Sequence, residues 1–237
     1  MRSFWDVLEI DFRKLETYWL LFSAPVLLLI YRYNGYPEYF RGFFPGLTGD
    51  PNFELYSRLW QFGVFFILLL VIPILSTLFF PGLKLSSMGF GAGDFKLGMK
   101  LFAFLFPLII LPILFFSVDM PEIQSEYPLA KMIKERHDLI IIYELFYVIF
   151  YYFAWEFYFR GFLLFGLAPR IGTFNAVLIQ TISSSLIHIG KPGGEVIGSI
   201  IVGIIFGVIA LRTRSIWYVF LLHAAIGVAT DLLIIYK

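Results

Sequence analysis

From Leu59 to Phe80 the chain carries no ionisable side chain. Comparable apolar runs recur along its length, and about 20 mostly apolar residues in a helix are enough to cross a bilayer's hydrocarbon core. A backbone in lipid must satisfy its own N–H and C=O groups, which confines it to helices or closed barrels. Runs this long and unbroken point to helices. Candidate spans fall at about 16–33, 58–80, 97–117, 138–166, 173–189, 196–211 and 215–236. The fourth is too long for one straight crossing and is expected to tilt, kink or continue as a half-helix. Composition agrees: 59% of the 237 residues are hydrophobic and 15% are charged, where soluble domains average about 25% charged. A soluble domain of this size buries only about 70% of its chain surface, so lipid is the natural solvent. The expected fold class is all-α, a polytopic membrane bundle of about seven or eight helices.

Several function classes drop out. Eighteen Lys and Arg against seventeen Asp and Glu give a formal charge of +1, with no nucleic-acid footprint. With no cysteine there is no disulfide, no Cys zinc site and no thiol nucleophile. Met1–Leu20 mixes acids, bases and aromatics and does not read as a secretory signal peptide. Within it Leu8, Phe12, Leu15 and Trp19 recur at helical spacing between Asp6, Glu9, Arg13 and Glu16. That pattern fits an interfacial amphipathic helix or an extension of the first span. Loops are expected at 34–57, 81–96 and 118–137. Lys and Arg lean slightly to the N-terminal side of the membrane, which favours a cytoplasmic N-terminus. The absence of cysteine and of a targeting peptide points to a prokaryotic cytoplasmic membrane. No repeat or linker separates domains, so residues 1–79 read as interfacial helix and anchoring spans, and 80–237 as the part of the same membrane unit that carries chemistry.

Ionisable groups inside a span are costly and are functional candidates by default. They gather in the second half of the chain: Glu144, Glu156, Arg160, His188, Glu195, His223 and Asp231. Glu156 and Arg160 stand four apart with the acid first, the favoured order for a helical pair. They are a structural ion pair or a tuned general base. Gln180, Ser184 and His188 share one helix face, and three inward polar groups in a row imply a hydrated cavity inside the bundle. Lys191 and Glu195 follow near the membrane edge, where a solvated turn is expected. His223, Gly227 and Asp231 repeat the spacing in the last span, while Ser199, Gly203 and Gly207 form a small-residue packing stripe. A carboxylate and an imidazole can activate water while a second imidazole holds an oxyanion, which suits amide hydrolysis. No H-E-x-x-H supports a zincin, although two His and a Glu are a known catalytic zinc set and remain a minority alternative. Ser183, Ser184 and Ser185 lack the G-x-S-x-G context of a serine nucleophile.

The ExxxRG run Glu156–Gly161, a His 28 residues after the Arg, and a His in the last span resemble the CAAX protease and bacteriocin-processing (Abi) family of glutamic intramembrane endopeptidases. LSSMGFGAGDFKLGMK (85–100) and LRTRSIWYVFLLHA (211–224) are also similar to it. The resemblance covers roughly 80–236. It implies an all-helical bundle around a conical hydrated cavity, no metal or other cofactor, and a membrane-associated peptide or protein as substrate. The family's EExxxR motif falls on Trp155-Glu156 through Arg160, FxxxH on Ser184 through His188, and HxxxN on His223 through Gly227. In the family the first Glu and the second-motif His activate water, and the third-motif His and Asn stabilise the oxyanion. Here Trp155, Ser184 and Gly227 replace the first Glu, the Phe and the Asn. One residue is about 100° of helix rotation, so Glu156 needs a shift of the helix to stand in for the residue before it. The expected site is Glu156 and His188 on water, His223 on the carbonyl and Arg160 holding Glu156. Glu195, Asp231 and Ser184 are supporting candidates. The alternatives are an inactive relative acting as a membrane binding or immunity-type protein, and a proton-relay transporter. The transporter calls for inverted repeats or paired broken helices, and the sequence has neither.

Overall fold

The computed structural model describes residues 8 and 10–237. The Asp6 and Glu9 positions of the amphipathic pattern lie outside them. From Phe12 a short 3-10 turn leads directly into α1 (Leu15–Asn34), so that the described part of the pattern runs on as the start of the first span. There follow α2 (Pro37–Phe43), α3 (Phe53–Ser76), α4 (Phe95–Ser117), α5 (Pro121–Glu126), α6 (His137–Ile171), α7 (Thr173–Leu186), α8 (Gly193–Thr213) and α9 (Trp217–Tyr236). The fold is all-α, with no strand among the described residues.

Six of these helices, α1, α3, α4, α6, α8 and α9, are long and apolar enough to cross a membrane. The seventh expected span, 173–189, is shorter than it reads. Helix α7 has 14 residues, about 21 Å at 1.5 Å per residue. The chain then turns through Gly190, at φ +95°, into Pro192. The overlong fourth run is one continuous helix of 35 residues, about 52 Å against a hydrocarbon core of about 30 Å.

Helix α6 is the axis of the bundle. Nearly every side chain from Tyr151 to Leu164 is buried, and Phe157, Tyr158, Phe159 and Phe162 are wholly so. Helices α1 and α3 pack along it on one side and α7 and α9 on the other; α8 lies on α7, while α4 lies outside α9. Large apolar side chains such as Phe22, Phe79, Phe104, Phe116, Ile182 and Ile201 stay exposed on the outer surface, as a bilayer requires. The small-residue stripe serves packing: α8 approaches α7 so closely that Gln180 Nε2 donates to the Gly203 carbonyl at 2.9 Å.

Two loops fix the parts that matter for chemistry. Loop 81–94 is stitched to the α8–α9 junction, with Asp94 N donating to Thr213 O at 2.8 Å, Ile216 N to Gly89 O at 3.0 Å and Trp217 Nε1 to Phe90 O at 2.7 Å. The two outlying segments of the family resemblance therefore meet in space. Loop 118–136 is pinned over α6 by Glu54, which accepts from the Lys131 and Met132 amides. A further bond runs from Leu129 N to Tyr143 Oη at 3.1 Å. This loop carries Tyr127 to the polar interior.

Candidate active site

The polar residues form two adjoining clusters divided by an aromatic ring. In the first, Glu156 is fully buried, His223 Nδ1 lies 2.6 Å from Glu156 Oε1, and Arg160 Nη1 donates to the same oxygen at 3.3 Å. With Nδ1 committed to the carboxylate, Nε2 is the ring nitrogen that His223 has left to offer a cavity group. The Arg160 guanidinium also lies over the Phe206 ring at 5.6 Å, so both charges of the pair are closed in by protein.

The second cluster surrounds a small cavity of about 30 Å3, room for one or two waters. His188 lies just past the end of α7. Its Nδ1 is 3.1 Å from the Ser184 carbonyl, which can only accept, so Nδ1 carries the proton and Nε2 is the basic nitrogen. That Nε2 lies 3.8 Å from Glu195 Oε1. Tyr127 Oη donates to the same carboxylate oxygen at 2.7 Å, and Lys191 Nζ donates to it at 2.9 Å and to Tyr127 Oη at 2.6 Å. Glu195 Oε2 is buried with no hydrogen-bond partner among the described residues, as is Glu156 Oε2. Burial, and then the charge of Glu195, hold the Tyr127 phenol well above its usual range, so it stays a donor.

Trp155 separates the clusters. Its indole meets His188 edge-on at 5.3 Å and His223 edge-on at 5.6 Å, and stacks on Phe65 at 5.7 Å. The backbone here is not uniform: Phe153–Glu156 is flanked by π-helical stretches at Tyr147–Tyr152 and Phe157–Phe165. Such wide turns rotate the residues after them about the helix axis and are frequent at functional sites. They deliver the indole to the cavity wall and turn Glu156 towards His223.

Glu156, Arg160 and His223 thus meet, while His188 meets Glu195 and not Glu156. Lys191 and Glu195 are half-buried in the cavity instead of forming a solvated turn, because Tyr127 and His188 give them partners inside. Ser184 is buried and spends its hydroxyl on the Thr181 carbonyl, and Gln180 packs against α8. Asp231 is fully buried and does not line the cavity, and neither its carboxylate oxygens nor those of Glu144 have a hydrogen-bond partner among the described residues. Among the described residues no three His, Asp or Glu side chains converge as a metal-ligand set. Sequence reasoning missed Tyr127, Tyr147, Tyr151 and Tyr152, which line the cavity. The i, i+4, i+5 spacing of the last three was a readable sign, whereas Tyr127 arrives by the loop alone.

A family model described as type II CAAX prenyl endopeptidase, Rce1-like, matches residues 137–229. Over this stretch the chain is similar to the CAAX protease family. The match runs from the start of α6 almost to the end of α9 and holds every cavity residue except Tyr127. With six helices long and apolar enough to cross a membrane, the chain has the make-up of a multi-pass integral membrane protein that is similar, over this stretch, to a protease family. No curated protein and no solved structure matches the chain.

Beside the polar cavity lies a second, larger space. A groove of about 470 Å3 opens between α1 and the end of α7, lined mainly by apolar groups including Ala24, Leu28, Leu29 and Leu186. Ile187 lines both the groove and the polar cavity.

Proposed function

We propose that this CAAX protease relative is an active intramembrane endopeptidase that hydrolyses a peptide bond of a membrane-associated protein or peptide, and that His188 and Glu195 are its water-activating pair. The observation that carries the reading is the 3.8 Å approach of Glu195 to the basic nitrogen of His188 on the wall of a polar cavity. General bases act within direct hydrogen-bond reach or through one water, and unliganded sites are often looser than reacting ones.

In this mechanism a water between His188 Nε2 and Glu195 loses a proton to that pair as its oxygen attacks the scissile carbonyl. The carbonyl becomes a tetrahedral oxyanion, which accepts a hydrogen bond from His223 Nε2–H. Collapse breaks the C–N bond, and the proton held by the His188–Glu195 pair passes to the leaving amine. One water is consumed, giving a carboxyl and an amine terminus. Glu156 acts through His223: its carboxylate on Nδ1 fixes the tautomer and supports positive charge on the ring, and Arg160 holds Glu156 in place. Lys191 and Tyr127 anchor Glu195 Oε1, the oxygen nearest His188 Nε2, and so hold the carboxylate against the imidazole. The chemistry uses no metal. The apolar groove that shares Ile187 with the cavity wall fits a substrate that presents hydrocarbon near its scissile bond.

The test is cleavage of a membrane-peptide library by the purified protein in detergent, beside His188→Ala and Glu195→Gln, with and without chelator. Cleavage that both substitutions remove and the chelator spares supports the reading. Cleavage lost to chelator alone contradicts it, and a wild type that binds these peptides yet leaves them intact favours the inactive binding protein.

A further inference from the structure

Helix α6 brings Tyr147, Tyr151 and Tyr152 to the cavity, but their surroundings differ. The ring of Tyr152 packs on His223 with centroids 4.6 Å apart. Its hydroxyl lies over Gly227, one helical turn beyond His223 on the same face of α9. A Cβ built on Gly227 would collide with Tyr152 Oη and would stand 2.6 Å from ring carbon Cε2. The missing side chain at 227 is what lets the phenol reach this position. Tyr127, another cavity tyrosine, already gives its proton to Glu195.

One wall of the cavity therefore holds two donors side by side, the imidazole of His223 and the hydroxyl of Tyr152, facing the cluster of His188 and Glu195. A tetrahedral oxyanion carries charge that a single donor holds incompletely, and one preorganised donor at that point is worth about 10²–10³ in rate. We infer that Tyr152 is a catalytic residue that donates the second hydrogen bond to the oxyanion, beside His223. The inference rests on the endopeptidase reading above. Tyr152 keeps its proton throughout, so it shifts no bond and needs no co-reactant; Gly227 clears the space in which it works.

The test is steady-state cleavage of fluorogenic membrane peptides by the full chain in detergent, comparing Tyr152→Phe and Gly227→Ala with wild type. Tyr152→Phe keeps the ring on His223 and removes only the hydroxyl. It should lower kcat about 10²–10³-fold with KM within about twofold, because the interaction forms in the transition state and not with bound substrate. Gly227→Ala keeps the hydroxyl but displaces it and should lower kcat in the same way, which guards against a Tyr152 variant that fails to fold. Thermal unfolding in the same detergent separates folding loss from catalytic loss. A kcat within about threefold of wild type for a folded Tyr152→Phe, or a loss confined to KM, overturns the inference and leaves the endopeptidase reading standing. A wild type that cleaves nothing overturns both.

Discussion

Glu156 and Glu195 are carboxylates of one site in opposite settings. The Glu156 side chain is wholly enclosed, bonded through one oxygen to a histidine and an arginine, whereas Glu195 is about 20% exposed on a cavity wall with one oxygen held by Tyr127 and Lys191; the second oxygen of each is buried without a hydrogen-bond partner among the described residues. A buried charge surrounded by fixed partners can hold another group still, but it has no route to a substrate. A carboxylate at a wet wall can trade protons with water. In the proposed mechanism, access to the cavity and not position along the sequence motif selects the reacting acid.

The contrast fails most visibly if the histidine facing Glu195 is dispensable. His188→Ala should lower kcat/KM by about 10³–10⁴-fold, the upper range for a positioned acid–base group, read from single-substrate cleavage in detergent with the unfolding temperature unchanged within error. Retained cleavage would remove the reacting pair altogether. Next in size is the enclosed pair. Arg160→Met leaves Glu156 buried with one partner fewer, and breaking a buried ion pair costs about 3–5 kcal/mol. The expected readout is a large fall in thermal stability, mostly recovered when Glu156→Gln is added, since the second change removes the stranded charge. An Arg160→Met protein as stable as wild type would mean that Glu156 is not sealed as described.

The smallest effect concerns the loop that supports Tyr127. Burial, and then the neighbouring charge of Lys134, pull the Lys131 amine down to about 8. The unfolded chain, near 10.4, binds the proton more tightly, so stability should rise as pH increases from about 8 to about 10 and be flat below. Relaxation and solvent screening around the loop hold the gain to about 1 kcal/mol or less. Lys131→Met should abolish the slope in unfolding temperature against pH; an unchanged slope would assign it to other groups.

The lipid-facing part of the fold was legible because it follows from length and hydropathy alone. Helices α3, α4 and α9 lie where the apolar runs 58–80, 97–117 and 215–236 place them, with ends shifted by a few residues. The site was legible in its types and less so in its pairings. His188, His223, Glu156 and Arg160 stand out as groups that lipid forbids, and all four lie at or beside the cavity. The partner of His188 was not readable by counting residues, for two physical reasons. The π-helical stretches around Phe153–Glu156 break the 100° rule on which face assignment rests. The break after α7, at Gly190 and Pro192, folds Glu195 back against His188, so a spacing typical of a surface pair becomes part of the interior. Tyr127 and Tyr152 matter through tertiary contacts, one carried in by a pinned loop and one admitted by the bare backbone at Gly227.

The most direct test of the central claim is the pH profile of kcat/KM for Glu195→Gln beside that of Glu156→Gln, on one cleavable membrane peptide. Loss of about 10²-fold or more for Glu195→Gln across the profile, with a smaller loss for Glu156→Gln, is the predicted result. Near-wild-type cleavage by Glu195→Gln together with abolition by Glu156→Gln would contradict it and return the water-activating role to the enclosed acid.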